Sequence, residues 1–231
     1  MLQKFLFLSV IIVVLFEHCD SSPSQTGQIE KNSKTDTISI QGAVFQSTTH
    51  TVVIPLSKIL PKKGVDYIPK IYFDTLMYDN KRLLFTTRDS ALTVYQQMDT
   101  TGTFLLKIPI DSTDLYTYTD GSPLFLKDMD GDNQKEVLVT VDKNGNHLKF
   151  RVYRLVKNNT LIGLKKISRF DDLINPEFDP TSGMVRTHWF DRDDYELDEF
   201  YKISKDDALV FVKGLERQKG KVRKYEKKAG W

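Results

Sequence analysis

The sequence predicts an all-β domain of antiparallel hairpins and meanders, folded as a small β-propeller-like body, with a β-sandwich as the alternative. Three observations predict it. Apolar runs are short, about five residues, and rich in β-branched and aromatic side chains, the composition of a pleated, half-buried surface. Turn residues recur between those runs. Helical spacing of apolar residues is almost absent, the best stretch being Lys165 to Ile174, which is expected to form a short helix on the spacing of Leu164, Ile167, Phe170 and Ile174.

In chain order the expected strands are Thr37–Ile40, Thr51–Leu56, Lys70–Phe73, Arg82–Thr87 and Leu92–Tyr95. Thr103–Ile108, Val137–Val141, Leu148–Tyr153 and Ala208–Val212 follow. Asn144-Gly145 between two of them is a strong hairpin signal, because both residues accept positive φ. Asp79-Asn80-Lys81 and Lys157-Asn158-Asn159 are expected to act in the same way. Together these place a single domain over residues 37–215.

The ends of the chain read differently. Lys4 precedes Phe5–Phe16, a run that is apolar except for Ser9 and is followed by Cys19. As a helix the run spans about 18 Å, too short for a bilayer core of about 30 Å, so residues 1–19 read as a secretory signal peptide. Residues 20–36 hold Ile29 as their sole large apolar side chain and read as a flexible tether. Residues 213–231 carry eight Lys/Arg against two Glu, +6, which leaves −4 on the rest of a chain whose net charge is +2. Residues 216–231 therefore read as a basic, flexible tail, and a nucleic-acid-binding domain, which spreads basic charge over a folded face, is not expected. Cys19 is the single cysteine. An exported domain cleaved there has no thiol for a disulfide, a thiolate zinc site or a nucleophile.

The sharpest motif is Asp128-Met129-Asp130-Gly131-Asp132-Asn133-Gln134-Lys135-Glu136. Carboxylates stand at positions 1, 3, 5 and 9, with Gln134 able to offer its backbone carbonyl. Ca²⁺ takes six to eight oxygens at about 2.3–2.6 Å, and a short loop encloses it only if the backbone bends tightly. Gly131 and Asn133 tolerate the left-handed conformation that such a bend needs. Position 12, Glu in an EF-hand, is Val139, and the flanks Leu124-Phe125-Leu126 and Val137-Leu138-Val139 read as strands. The expected ligands are Asp128, Asp130, Asp132, Gln134 and Glu136, and the expected ion is Ca²⁺; a solvated acidic turn is the alternative.

Two resemblances follow. The hydrophobic run ending at Cys19 resembles a bacterial lipoprotein signal, which implies acylation of Cys19; an ordinary signal peptide is the alternative. The loop from Leu126 to Val137 resembles the calcium loops of FG-GAP and integrin-α-type repeats, which join strands in propeller blades. Over residues 124–216 the order of segments extends this likeness. It runs through Phe170–Pro180, Met184–Trp189, Glu199–Ile203 and Ala208–Glu216, and resembles bacterial envelope calcium-loop proteins similar to the xanthomonad periplasmic immunity proteins that inhibit lysozyme-like effectors.

Other signals are weaker. Asp191–Glu199 holds six carboxylates in nine residues and reads as a solvated acidic rim at the start of a strand, a second cation site being the alternative. Trp189 reads as core, with stacking on a sugar or a partner as the alternative. His50, His147 and His188 lack zinc spacing, and no Gly-x-Ser-x-Gly elbow or phosphate-binding glycine loop occurs. The expectation is a non-enzymatic, calcium-stabilised protein of the bacterial envelope, facing the periplasm or cell surface. The membrane is reached through the lipid anchor alone, and the partner is a protein, a lysozyme-like hydrolase by resemblance. A glycan-binding module, a glycan-active enzyme and a purely structural lipoprotein are the alternatives.

Overall fold

A computed structural model of the chain describes residues 35–40, 42–48, 51–62, 72–88, 91–110, 124–144, 147–191 and 195–226. The leader with Cys19 and the tether to residue 34 lie outside the described residues, as do Gly145 and Asn146 of one expected turn. The elements are β1 (Thr35–Ile40), β2 (Ala43–Thr48), β3 (Val53–Pro55), α1 (Leu56–Ile59), β4 (Tyr72–Tyr78) and β5 (Lys81–Arg88). Next come β6 (Ala91–Met98), β7 (Thr101–Pro109), β8 (Leu124–Lys127), β9 (Glu136–Asn144), β10 (His147–Asn158) and β11 (Leu161–Ile167). A 3₁₀ turn (Phe170–Asp172) leads to β12 (Glu177–Asp179), β13 (Met184–Asp191), β14 (Tyr195–Ile203), β15 (Leu209–Gln218) and β16 (Lys221–Tyr225).

These strands form three antiparallel sheets, so the fold is all-β, and no closed barrel is present among the described residues. The inner sheet has the order β1-β2-β11-β10-β9-β8, the second β3-β7-β6-β5-β4, and the C-terminal sheet β12-β13-β14-β15-β16. Hairpins connect most neighbours. Asp79 and Asn80 join β4 to β5 with φ of 50° and 58°, the left-handed pair of a tight hairpin turn, and Asn159 (φ 54°) begins the β10–β11 turn.

Alternation along the inner strands buries both of their faces. Val137, Val139, Tyr153, Leu155 and Leu164 pack against Leu83, Phe85, Leu92, Val94 and Leu106 of the second sheet. Leu138, Phe150, Val152 and Ile167 point the other way, to Val185, Tyr201 and Leu209 of the C-terminal sheet, with Met129, Phe170 and Leu173 filling between. Fully burying a side chain of this size contributes about 1.5–3 kcal/mol, so the inner sheet is held by two cores at once.

Three expectations are corrected. Lys165–Ile174 is not a helix: β11 runs to Ile167, Lys165 pairs with Arg154, and only Phe170–Asp172 coils. Leu164 and Ile167 would share a helical face, but each is needed in a different core, and Arg169 at φ 70° breaks the chain direction after the strand. The flexible tail assigned to 216–231 is ordered to residue 226, because its boundary falls inside β15 and Lys221–Tyr225 pairs with that strand as β16. Thr35 and Asp36, assigned to the tether, are backbone members of β1.

Candidate metal centre

The acidic loop leaves β8 at Lys127 and re-enters the sheet at Glu136, and those two residues are partners in the β8–β9 ladder. Gly131 (φ 81°) and Asn133 (φ 66°) supply the left-handed bends expected of them. Asp128 organises the turn: its Oδ1 accepts the N–H groups of Asp130 (3.2 Å) and Gly131 (2.6 Å), and its Oδ2 accepts that of Asn133 (3.0 Å). Gly131 is also required sterically, since a Cβ there would stand 2.5 Å from Cζ of Phe178 in β12.

The loop brings together Asp128, Asp130 and Glu136, one carboxylate oxygen from each lying within 4.8 Å of the others. Two oxygens bound to a common Ca²⁺ at about 2.4 Å are separated by no more than about 4.8 Å, so this spacing fits one ion. Asp132 is not in the converging group; its Oδ1 accepts the Gln134 N–H at 2.7 Å, and both residues are exposed.

Glu136 is the buried member, with its side chain 1 % exposed. Burial pushes its carboxyl up to about 7, aided by the Asp130 charge and opposed by the Met129 N–H and Arg154. The Met129 N–H donates to Oε2 at 2.8 Å. Burial also raises Asp130, with Arg154 opposing and the charges of Asp132 and Asp128 adding.

Arg154, on β10, is the residue that loop spacing does not reveal. Its guanidinium bonds to Asp130 and Glu136, and its Nη1 donates to Asp207 at 2.8 Å. Lys165 Nζ reaches the other Asp207 oxygen at 2.7 Å. The only trace of Arg154 in the sequence is a charge set among alternating apolar positions, with Val152 and Val156 on the same strand face. Arg154 and Lys165 thus set positive charge against three carboxylates, Asp130, Glu136 and Asp207.

The acidic run at 191–199 is corrected in part. Tyr195–Ile203 is a strand as expected, but an interior one of its sheet, and Asp198 (2 % exposed) and Glu199 (8 %) are buried rather than on a solvated rim. They do not form a cation site. Asp198 binds Arg186, His188 and Arg217, while Glu199 accepts the hydroxyls of Tyr201 (2.7 Å) and Tyr225 (2.9 Å).

No family model matches the chain, and no curated protein matches it. A solved structure described as that of a Xanthomonas type IV secretion system related protein is similar with a TM-score of 0.38 and 16% identity, over 84% of this chain and 88% of that one.

Proposed function

We propose that this chain is an exported, non-enzymatic binding protein of the bacterial envelope, anchored through an acylated Cys19 and stiffened by Ca²⁺. Its partner is a protein of the peptidoglycan-active, lysozyme-like hydrolase class. The observation that carries the calcium reading is the convergence of Asp128, Asp130 and Glu136 in an all-oxygen group at the border of two sheets. Asp128 and Asp130 supply half-buried charge, Glu136 a buried oxygen, and a divalent ion would displace the proton that burial of Glu136 favours. The partner class rests on the resemblance of residues 124–216, and the anchor on the run that ends at Cys19.

An ion that binds only the folded state adds RT ln(1 + [L]/Kd), about 2.7 kcal/mol at a hundred times Kd. Chelation is expected to lower the melting temperature, Ca²⁺ to restore it better than Mg²⁺, and Asp130→Ala to remove the response. Mg²⁺ is poorer because it demands a compact octahedron and releases water reluctantly. Melting curves that overlay with chelator and with calcium would eliminate the ion. Protein purified from the native envelope, analysed by intact mass spectrometry and mixed with a purified lysozyme-type hydrolase, tests the rest: an acylated Cys19 and a stoichiometric, turnover-lowering complex are expected.

A further inference from the structure

The C-terminal sheet carries a second feature, apart from the acidic loop. In the β13–β14 ladder Thr187 pairs with Glu199 and Trp189 with Leu197, so these four side chains share one sheet face. Between that face and the turn after β11 lies a cavity of about 330 Å³. Trp189 and Tyr195 form one corner, their rings meeting edge to face at 5.5 Å and 68°. Leu173 and Leu197 supply apolar wall, Glu199 is a buried carboxylate against it, and Asp172 stands at the rim with its side chain 58% exposed.

The lining thus offers two electron-rich rings, an apolar channel and two carboxylates, and among the described residues it contains no Lys or Arg. At the rim, Nε of Arg169 lies 3.7 Å from the Asp172 carboxylate.

We infer that this cavity receives a basic side chain, lysine or arginine, presented by a partner protein; the inference rests on the protein-binding reading above. A cation is drawn to the faces of Trp and Tyr by the ring quadrupole and to the carboxylates by charge, while its aliphatic stem lies along Leu173 and Leu197. A sugar ring makes a different demand, a flat aromatic platform. Here the two rings meet at a corner, which suits a narrow stem with a charged tip better than the broad face of a pyranose.

The chain has two tryptophans, so Trp231→Phe leaves Trp189 as the sole indole reporter. In that background the indole N–H resonance of Trp189 is followed while acetyl-Gly-Lys-Gly-amide, its norleucine counterpart and a tetramer of N-acetylglucosamine are each added. The lysine peptide is expected to shift the resonance saturably and the other two are not. The affinity is expected to fall as NaCl rises from about 0.05 to about 0.5 M, where the Debye length shrinks severalfold. Leu197→Arg, which puts the chain's own cation in the cavity, should abolish the shift, and Asp172→Asn, at the rim, should weaken it by about threefold with no change in melting temperature. A saturable response to the tetramer in place of the lysine peptide overturns the inference in favour of a glycan site. No response to any probe up to about 10 mM, well above the millimolar range expected for one side chain, overturns it outright. A hydrolase complex formed equally well by Leu197→Arg also overturns it while leaving the protein-binding reading intact. A lysine response in a protein that forms no hydrolase complex supports the cavity and removes the proposed partner.

Discussion

Asp198 shows how one carboxylate is held inside a sheet. It faces Arg186 Nη2 at 2.6 Å, Arg217 Nη1 at 2.6 Å and His188 Nδ1 at 2.8 Å. Burial alone would raise its pKa, but hydrogen bonds from Arg217, His188 and Arg186 outweigh that and bring it down to about 2. A carboxyl held below its unfolded value of 3.8 contributes stability that is complete above that value and is lost as pH falls through about 2. The depression corresponds to about 2 kcal/mol at neutral pH. Asp198→Asn is therefore expected to cost at least that much in urea unfolding at pH 7, since two arginines lose their countercharge, and to flatten the decline of stability between pH 4 and pH 2. An unchanged acid slope in the variant would show that other carboxylates govern acid unfolding. At this scale the sequence is legible where chemistry is local: the alternate spacing of Asp128 and Asp130, with Glu136 at the ninth position, places three oxygens together. Arg154 meets Asp130 across 24 residues and Asp207 across 53, and local spacing encodes neither pairing.

At the scale of elements, β16 was hidden by its own composition. Lys221, Arg223 and Lys224 look like a solvated run, yet charged side chains on an outermost strand are what keep an exposed edge from pairing with other chains. Tyr225 closes the hairpin. Its ring stacks on Phe211 at 5.6 Å and 16°, and its hydroxyl donates to Glu199 at 2.9 Å. Gly214, its ladder partner, makes this possible, because a Cβ there would fall inside the Tyr225 ring. Deleting Lys219–Trp231 is accordingly expected to lower the melting temperature clearly. Tyr225→Phe should cost about 1 kcal/mol, for a half-buried hydrogen bond to a carboxylate, and Gly214→Ala should cost more by expelling the ring. A truncated protein that melts with the full chain would mean that β16 adds nothing to the fold. Strands such as β5, β6, β7, β9 and β10 were legible because their apolar runs are bounded by turns. Lys165–Ile174 misled because Leu164, Ile167 and Phe170, all buried, fell near helical spacing although they serve two cores.

At the scale of the whole molecule, the inner sheet is the shared layer, and this was the least legible level. The β1–β2 hairpin joins the sheet by pairing Val44 with Leu164 and Ala43 with Lys165, a contact far along the chain that no local pattern announces. The acidic loop acquires its meaning here. Gly131 abuts Phe178 of β12, Arg154 on β10 reaches Asp207 in the β14–β15 turn, and Ser168 exchanges backbone hydrogen bonds with Asp207 and Leu209. The loop thus sits where the inner sheet meets the C-terminal sheet, while the core against β4–β7 lies on the opposite face. A cation bound by Asp128, Asp130 and Glu136 should therefore tighten the border with the C-terminal sheet more than the core around β5 and β6, although Leu76–Tyr78 of β4 also face the loop. Hydrogen exchange reads such regional stability directly, because segments that open locally exchange without global unfolding. Removing calcium with a chelator is expected to speed exchange in residues 128–137, in β12 and in the turn at 204–208, and to leave β5 and β6 unchanged. Equal acceleration in all three sheets would mean that the ion stabilises the fold as a single unit, and no change anywhere would mean that the loop holds its shape without an ion, through the Asp128 and Glu136 hydrogen bonds and Arg154.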